Sequence, residues 1–173
     1  MADTRLSIDA RNLKKVYSRG NEEVFAVNDV SLHIDKGDFI SIIGPSGSGK
    51  TTLINLLGCI DNPTSGELYL GGKPIFHSSR RLSERELTRI RREVFGYIFQ
   101  HFYLIPTLTV RENVMLPLTF YRKEGAEREV DKLLTLLGID HRIHHLPGQI
   151  SGGEMQRVSI GRAIVREPAV LIM

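Results

Sequence analysis

The sequence is short of several things, and each shortage removes a class of protein. It has a single cysteine, Cys59, inside an apolar run, so no internal disulfide can form and a reducing compartment is favoured. No stretch approaches the roughly 18 apolar residues that a membrane helix needs, and the opening Met1-Ala2-Asp3-Thr4-Arg5 has no signal-peptide core. Work at a membrane would have to pass through a partner, and the expected location is cytoplasmic. Excess charge is scarce too, since 23 Lys and Arg against 20 Asp and Glu leave a net +3 with both signs interspersed. No nucleic-acid partner is expected from so weak a field. The 173 residues, 41% hydrophobic and 25% charged, are enough for one folded domain with a real core and too few for two.

Along the chain, Leu6-Ser7-Ile8-Asp9-Ala10 and Val30-Ser31-Leu32-His33-Ile34 alternate apolar and polar residues around a turn at Ser18-Arg19-Gly20-Asn21. This predicts an antiparallel β element. The continuous apolar run Phe39-Ile40-Ser41-Ile42-Ile43 predicts a central parallel strand buried on both faces, followed by a glycine-rich loop and a helix from Lys50 to near Gly58. A short strand at Glu67–Leu70 before Gly71-Gly72, a basic helix from Leu82 to Arg92 and a strand at Gly96–Phe99 come next. From about residue 101 the pattern turns helical: Thr109 and Glu112 have capping-box spacing, and Val130, Leu133, Leu134 and Leu137 repeat at helical intervals before Gly138. Pro168 ends the last helix, and Ala169-Val170-Leu171-Ile172-Met173 predicts another buried parallel strand.

Gly44-Pro45-Ser46-Gly47-Ser48-Gly49-Lys50-Thr51 fits the phosphate-loop pattern G-x-x-x-x-G-K-[ST] at every fixed position, between a predicted strand and a predicted helix. A triphosphate carries about four negative charges; backbone N–H groups converge on it only where side chains are absent, hence Gly47 and Gly49. The helix start adds its positive dipole end. Lys50 is expected to neutralise the β- and γ-phosphates, Thr51 to coordinate Mg²⁺, and Thr52 to donate to the α-phosphate.

Ser151-Gly152-Gly153-Glu154 begins another predicted helix. Ser and Glu at this spacing form an ordinary capping box. A capping box needs no glycines, and two at a helix start cost roughly 1 kcal/mol each against alanine. They open the helix end to an anion, so the chain carries two anion-receiving helix starts, more than one nucleotide needs from one subunit.

The string Ile150-Ser151-Gly152-Gly153-Glu154-Met155-Gln156-Arg157-Val158 resembles the signature motif of ABC-transporter ATPases, downstream of the phosphate loop as in that family. Tyr97-Ile98-Phe99-Gln100 resembles the family's Q-loop, which implies that Gln100 reaches Mg²⁺ and the attacking water; Tyr17 matches the aromatic position on which adenine stacks. The segments from Gln100 to Val114 and from Ile60 to Glu67 are similar to the subgroup of lipoprotein-release, macrolide-export and cell-division ATPases.

The resemblance implies a P-loop NTPase α/β fold with a parallel central sheet, an N-terminal antiparallel β subdomain and an inserted helical subdomain. The chain would then be a single ABC-type ATP-binding domain: residues 1–100 the β subdomain and P-loop core, about 101–150 the helical subdomain, and 151–173 the signature helix and the start of a further strand. It also implies ATP held between the phosphate loop of one subunit and the signature motif of another, and a membrane permease contacting the helical region from the cytoplasmic face. Phe102, Tyr103, Leu104 and Leu108 are candidates for that contact and equally for core packing.

One departure stands out. In relatives the strand matching Val170–Met173 leads into an aspartate linked to Mg²⁺ and a glutamate that activates water, and neither is present here, nor the later histidine that senses the γ-phosphate. The expectation is a fragment or an incomplete sequence, truncated before those carboxylates, that binds ATP with Mg²⁺ and hydrolyses it poorly or not at all. The full-length function implied is an ATPase driving export or extraction of a lipoprotein or hydrophobic cargo. An ATP-dependent switch on a cell-division partner is the alternative; a DNA- or ribosome-acting ATPase fits poorly with so compact a helical segment. His141, His144 and His145 are expected in a solvated loop and the arginines from Arg80 to Arg92 on an exposed helix face.

Overall fold

The computed structural model describes residues 7–20, 22–77, 80–119 and 125–173; Leu6 and Asn21, read above as strand and turn, lie outside the described residues, as do the side chains of Arg19, Arg80 and Arg81. Two compact units are present, Met1–Arg91 and Arg92–Met173.

The first unit is built on an antiparallel sheet. Strands β1 (Ile8–Arg19) and β2 (Glu22–Ile34) form a hairpin in which Ile8 faces Ile34 and Arg19 faces Glu22. On its other edge β1 pairs with β3 (Ser65–Leu70), which pairs with β4 (Lys73–His77) and that with β5 (Arg80–Arg81), giving the order β2-β1-β3-β4-β5. Ile8 opposite Leu70 and Ala10 opposite Leu68 place apolar pairs on one buried face, which is the cross-strand arrangement that stabilises such a sheet. Helix α1 (Lys50–Leu57) ends at Gly58 and buries Leu56 and Leu57; α2 (Glu84–Val94) starts after Ser83, whose hydroxyl accepts the Glu86 amide while Glu86 accepts the Ser83 amide. The helix therefore begins two residues later than expected. Strands β4 and β5 escaped sequence reading because neither is long enough to show an alternating pattern.

The second unit joins a two-stranded parallel sheet to helices. Strand β6 (Phe95–Tyr97) pairs in parallel with β7 (Val170–Ile172), with Gly96 opposite Leu171. Helices α3 (Val110–Thr119), α4 (Ala126–Leu136) and α5 (Gly152–Ile164), with 3₁₀ turns at Asp140–Arg142 and Pro147–Gln149, enclose Val110, Val114, Leu118, Val130, Leu134, Ile139 and Val158. The spacing of Val130 and Leu134, and of Val110, Val114 and Leu118, puts each set on one helix face. Asn113 is fully buried here and fully used: its amide donates to the carbonyls of Ile105, Leu108 and Thr109, and its Oδ1 accepts the Ile105 amide. It ties the preceding loop to α3, and the Thr109–Glu112 capping box closes the helix start.

Two strand expectations need correction. Residues 39–43 lie in no strand, and Phe39, Ile40 and Ile43 are 82%, 55% and 88% exposed. A central strand is buried only when ladders form on both of its edges, and an apolar run states a tendency without supplying those neighbours. The second, β7, is parallel as expected yet only half covered, with Leu171 40% exposed for the same reason.

Candidate nucleotide-binding site

The phosphate loop is seated against the hairpin by a bulge in β2. Lys15 pairs with Val27 and Val16 with Phe25, so Ala26 is the extra residue between them. Its carbonyl stands where a side chain at position 49 would be: a Cβ built on Gly49 would lie 1.9 Å from Ala26 O, and φ at Gly49 is +86°. Only glycine satisfies both demands. Gly49 is also the residue before α1, and it offers no side-chain cap; the first turn of α1 holds no acidic residue. With no side-chain cap and no acidic residue in its first turn, this helix start is open to an anion. Gly47, at φ +80°, has open space where its side chain would be. Lys50 Nζ donates to the carbonyls of Gly44 at 3.0 Å and Pro45 at 2.8 Å, so the ammonium sits on the loop itself. Thr51 is exposed at the head of α1.

Tyr17 belongs to the same unit. The residue is 43% exposed, and its hydroxyl donates to Asp61 Oδ2 at 2.8 Å. That bond, more than the accompanying desolvation, holds the phenol above its ordinary pKa of 10.0, with a hydrogen bond from Thr52 acting the other way.

In the second unit Gln100 is exposed in the turn after β6. Just beyond it Phe102 and Tyr103 both have positive φ, +55° and +45°, an unfavourable conformation for bulky residues. Arg162 of α5 holds them there, donating to the carbonyls of Tyr103 at 2.6 Å and Phe102 at 2.5 Å. Leu104 packs against the helical core, whereas Tyr103 is 63% exposed. At the start of α5 Ser151 Oγ accepts the Glu154 amide and Glu154 Oε2 accepts the Ser151 amide at 2.7 Å. Arg142 adds a bond to Glu154 Oε1 at 3.1 Å, and His141 lies 3.5 Å from the same oxygen. The backbone bond from Ser151 first, then its hydroxyl and Arg142, pull the Glu154 carboxyl down to about 2. Gly152 and Gly153 have nothing within 4 Å of where a Cβ would stand, so packing does not demand them.

Thus Tyr17, Thr52 and the loop from Gly44 to Thr51 share one unit, and Gln100 and the Ser151–Glu154 segment share the other. Sequence reading missed Lys15, Asp61, Arg142 and Arg162. Of these only Asp61 lay in a string already singled out, from Ile60 to Glu67, and there it served classification alone.

The model of the ABC transporter family matches residues 27–173. An uncharacterized ABC transporter ATP-binding protein of Methanocaldococcus jannaschii, MJ0796, is 44% identical over 171 residues, spanning 95% of this chain and 71% of the relative. The macrolide export ATP-binding/permease protein MacB of Neisseria gonorrhoeae is 43% identical over 160 residues, 91% of this chain and 24% of MacB. Among solved structures, the dimeric MJ0796 cassette, described as a bacterial ABC transporter cassette, matches with a TM-score of 0.85 at 42% identity over 95% of this chain and 72% of that one. A dimeric post-hydrolysis state of the same cassette bound to ADP and Pi matches with a TM-score of 0.85 at 41% identity, with the same coverage.

Proposed function

Since the chain belongs to the ABC transporter family, as an ATP-binding subunit, we propose that it binds Mg-ATP, dimerises around it and thereby drives a membrane permease that exports or extracts a lipoprotein or other hydrophobic cargo. The observation that carries this reading is the contrast between the two helix starts. Gly49 is demanded by its own fold, while Gly152 and Gly153 are not, so their open backbone serves something outside the unit that holds them. A nucleotide bound to a second copy supplies that partner. The dimeric cassette similar to this chain, and its ADP-and-phosphate form, support the same arrangement.

The roles follow from charge and reach. Free amides at the head of α1 and the Lys50 ammonium receive the phosphates, and Tyr17 offers its ring to the base. Mg²⁺ retains waters and phosphate oxygens and takes few protein ligands, so a lone exposed hydroxyl such as Thr51 fits it; when bound, the ion neutralises charge on the β- and γ-oxygens. Gln100 is assigned, through the family resemblance, to Mg²⁺ and the attacking water. The division into a β subdomain with P-loop core (1–100), a helical subdomain (about 101–150) and a signature segment (151–173) belongs to this reading. No helix among the described residues is long and apolar enough to cross a membrane; MacB, an ATP-binding/permease protein four times the span of this match, supports a permease partner, and a place on the cytoplasmic face is part of the same proposal. We further propose that a polypeptide of these 173 residues binds ATP with little turnover.

ATP-dependent association measured by light scattering tests the proposal. Lys50→Ala should abolish both nucleotide binding and association. Gly153→Asp should keep nucleotide binding in the monomer while preventing association, because it sets a negative charge at the open helix start. Undiminished ATP-driven dimers from Gly153→Asp would overturn the trans role of this segment.

A further inference from the structure

Lys15 and Tyr17 are two residues apart on β1, and a single carboxylate holds both. Asp61 Oδ1 accepts from Lys15 Nζ at 2.7 Å, and Oδ2 accepts from the Tyr17 hydroxyl at 2.8 Å. Lys15 also donates to Asn62 O at 2.7 Å, and its ammonium stands 4.9 Å from the Tyr17 ring centroid, close enough for a cation–π contact on that face. The Lys15 side chain is only 13% exposed, which weakens solvent screening of the pair. Asp61 is itself fastened. Its amide donates to Asn55 O of α1 at 3.2 Å; Thr64, three residues on, donates its amide to Lys14 O at 2.8 Å and accepts the Val16 amide at 3.0 Å. Although partial burial pushes the Asp61 carboxyl up, the bonds from Lys15, Tyr17 and the Asn62 amide bring it below its ordinary range, so it is charged at neutral pH. The turn after α1 thus grips β1 on both sides of Lys15, and Tyr17 hangs from it by its hydroxyl.

We propose that Asp61 is a positioning residue for nucleotide binding: with Lys15 it fixes the Tyr17 ring as a platform on one side of the phosphate loop, so that the base of ATP finds a surface already oriented. The inference rests on the reading of Tyr17 as the residue on which the base stacks. Its physical content is preorganisation. A tyrosine free to turn loses rotamer freedom when a base stacks on it, and a tyrosine pinned at both its ring face and its hydroxyl has already lost that freedom. Because α1 starts at the phosphate loop and ends at the turn that carries Asp61, one element sets the distance between base platform and phosphate cradle.

The test compares two probes, Mg-ATP and inorganic tripolyphosphate with Mg²⁺, by calorimetry on the purified protein. The ratio of their affinities isolates the share of binding that depends on the base. Tyr17→Ala should lower that ratio about tenfold, the usual scale of base stacking. Asp61→Ala should lower it about threefold to tenfold, as loss of the bonds that hold the ring would do, while leaving tripolyphosphate binding unchanged. Tyr17→Phe, which keeps the ring and removes the held hydroxyl, should lower the ratio similarly, and combining it with Asp61→Ala should add nothing to the loss from the hydroxyl. It also serves if Asp61→Ala folds poorly. A ratio unchanged in both Asp61→Ala and Tyr17→Phe, with Tyr17→Ala still impaired, overturns the positioning role and leaves stacking intact. A ratio unchanged in Tyr17→Ala removes the stacking reading and the proposal with it. Equal weakening of both probes in Asp61→Ala would place its effect on the phosphate loop and also overturn the proposal.

Discussion

Glu154 shows how much one side chain carries at the start of α5. It closes the capping box with Ser151, accepts from Arg142 and stands beside His141, and its carboxyl is drawn down to about 2, chiefly by the Ser151 amide. A folded-state value below the ordinary 4.5 means that protons bind the unfolded chain more readily. Its contribution to stability is therefore complete above that ordinary value and is lost as pH falls through about 2. Replacing Glu154 by Gln keeps the shape and removes the charge. The gap in urea midpoint between the native protein and Glu154→Gln should be widest near about pH 6 and should shrink steadily as pH drops toward about 2.5. A gap of constant size across that range would show that charge plays no part. Cys59 is a contrasting case: burial drives its thiol up to about 11 against the pull of Arg91, so it is a packing residue with little thiolate character.

Among the elements, α5 holds two kinds of glycine contact, and they should respond oppositely to substitution. Near its end the helix lies so close to β6 that a Cβ on Gly96 would be 2.4 Å from Ala163 O and 2.8 Å from Pro168 Cγ. Neither a carbonyl nor a proline ring can swing aside. Gly96→Ala should part strand from helix and cost about 1–3 kcal/mol, as overpacking does. Gly152→Ala at the open start should leave stability unchanged or raise it by up to about 1 kcal/mol through helix propensity. Equal losses from both in urea unfolding would contradict the contact geometry. The loop after β6 belongs to this scale too: Arg162 reaches from α5 to hold Phe102 and Tyr103 in left-handed backbone next to Gln100, so α5 and the segment that carries Gln100 are mechanically joined inside one unit.

For the molecule as a whole, the decisive quantity is the set of carboxylates available to a γ-phosphate. Past Glu167 the sequence reads Pro168-Ala169-Val170-Leu171-Ile172-Met173, with no acidic side chain at the end of β7. Phosphoryl transfer to water needs a group that orients the nucleophile and groups that hold the metal. The proposal that a polypeptide of these 173 residues binds ATP with little turnover is tested by phosphate release, and steady Mg-dependent turnover abolished by Lys50→Ala would disprove it.

The phosphate loop, the helix that follows it, the capping boxes at Thr109 and Ser151 and the stop at Gly138 were legible in the sequence because each is a local device, set by a few neighbouring residues and their backbone preferences. The family resemblance was legible for a related reason, since two short motifs in fixed order specify it. Whether Phe39–Ile43 forms a strand was not, because strand formation depends on partners elsewhere in the chain. Nor was the clamp on Tyr17, whose members at positions 15, 17 and 61 are brought together only when the turn after α1 folds back onto β1. Sequence determined what each segment prefers and which motifs the chain shares with its family. Tertiary structure decided which carboxylate holds the tyrosine and which glycines the fold requires, because those outcomes depend on contacts between residues far apart in the chain.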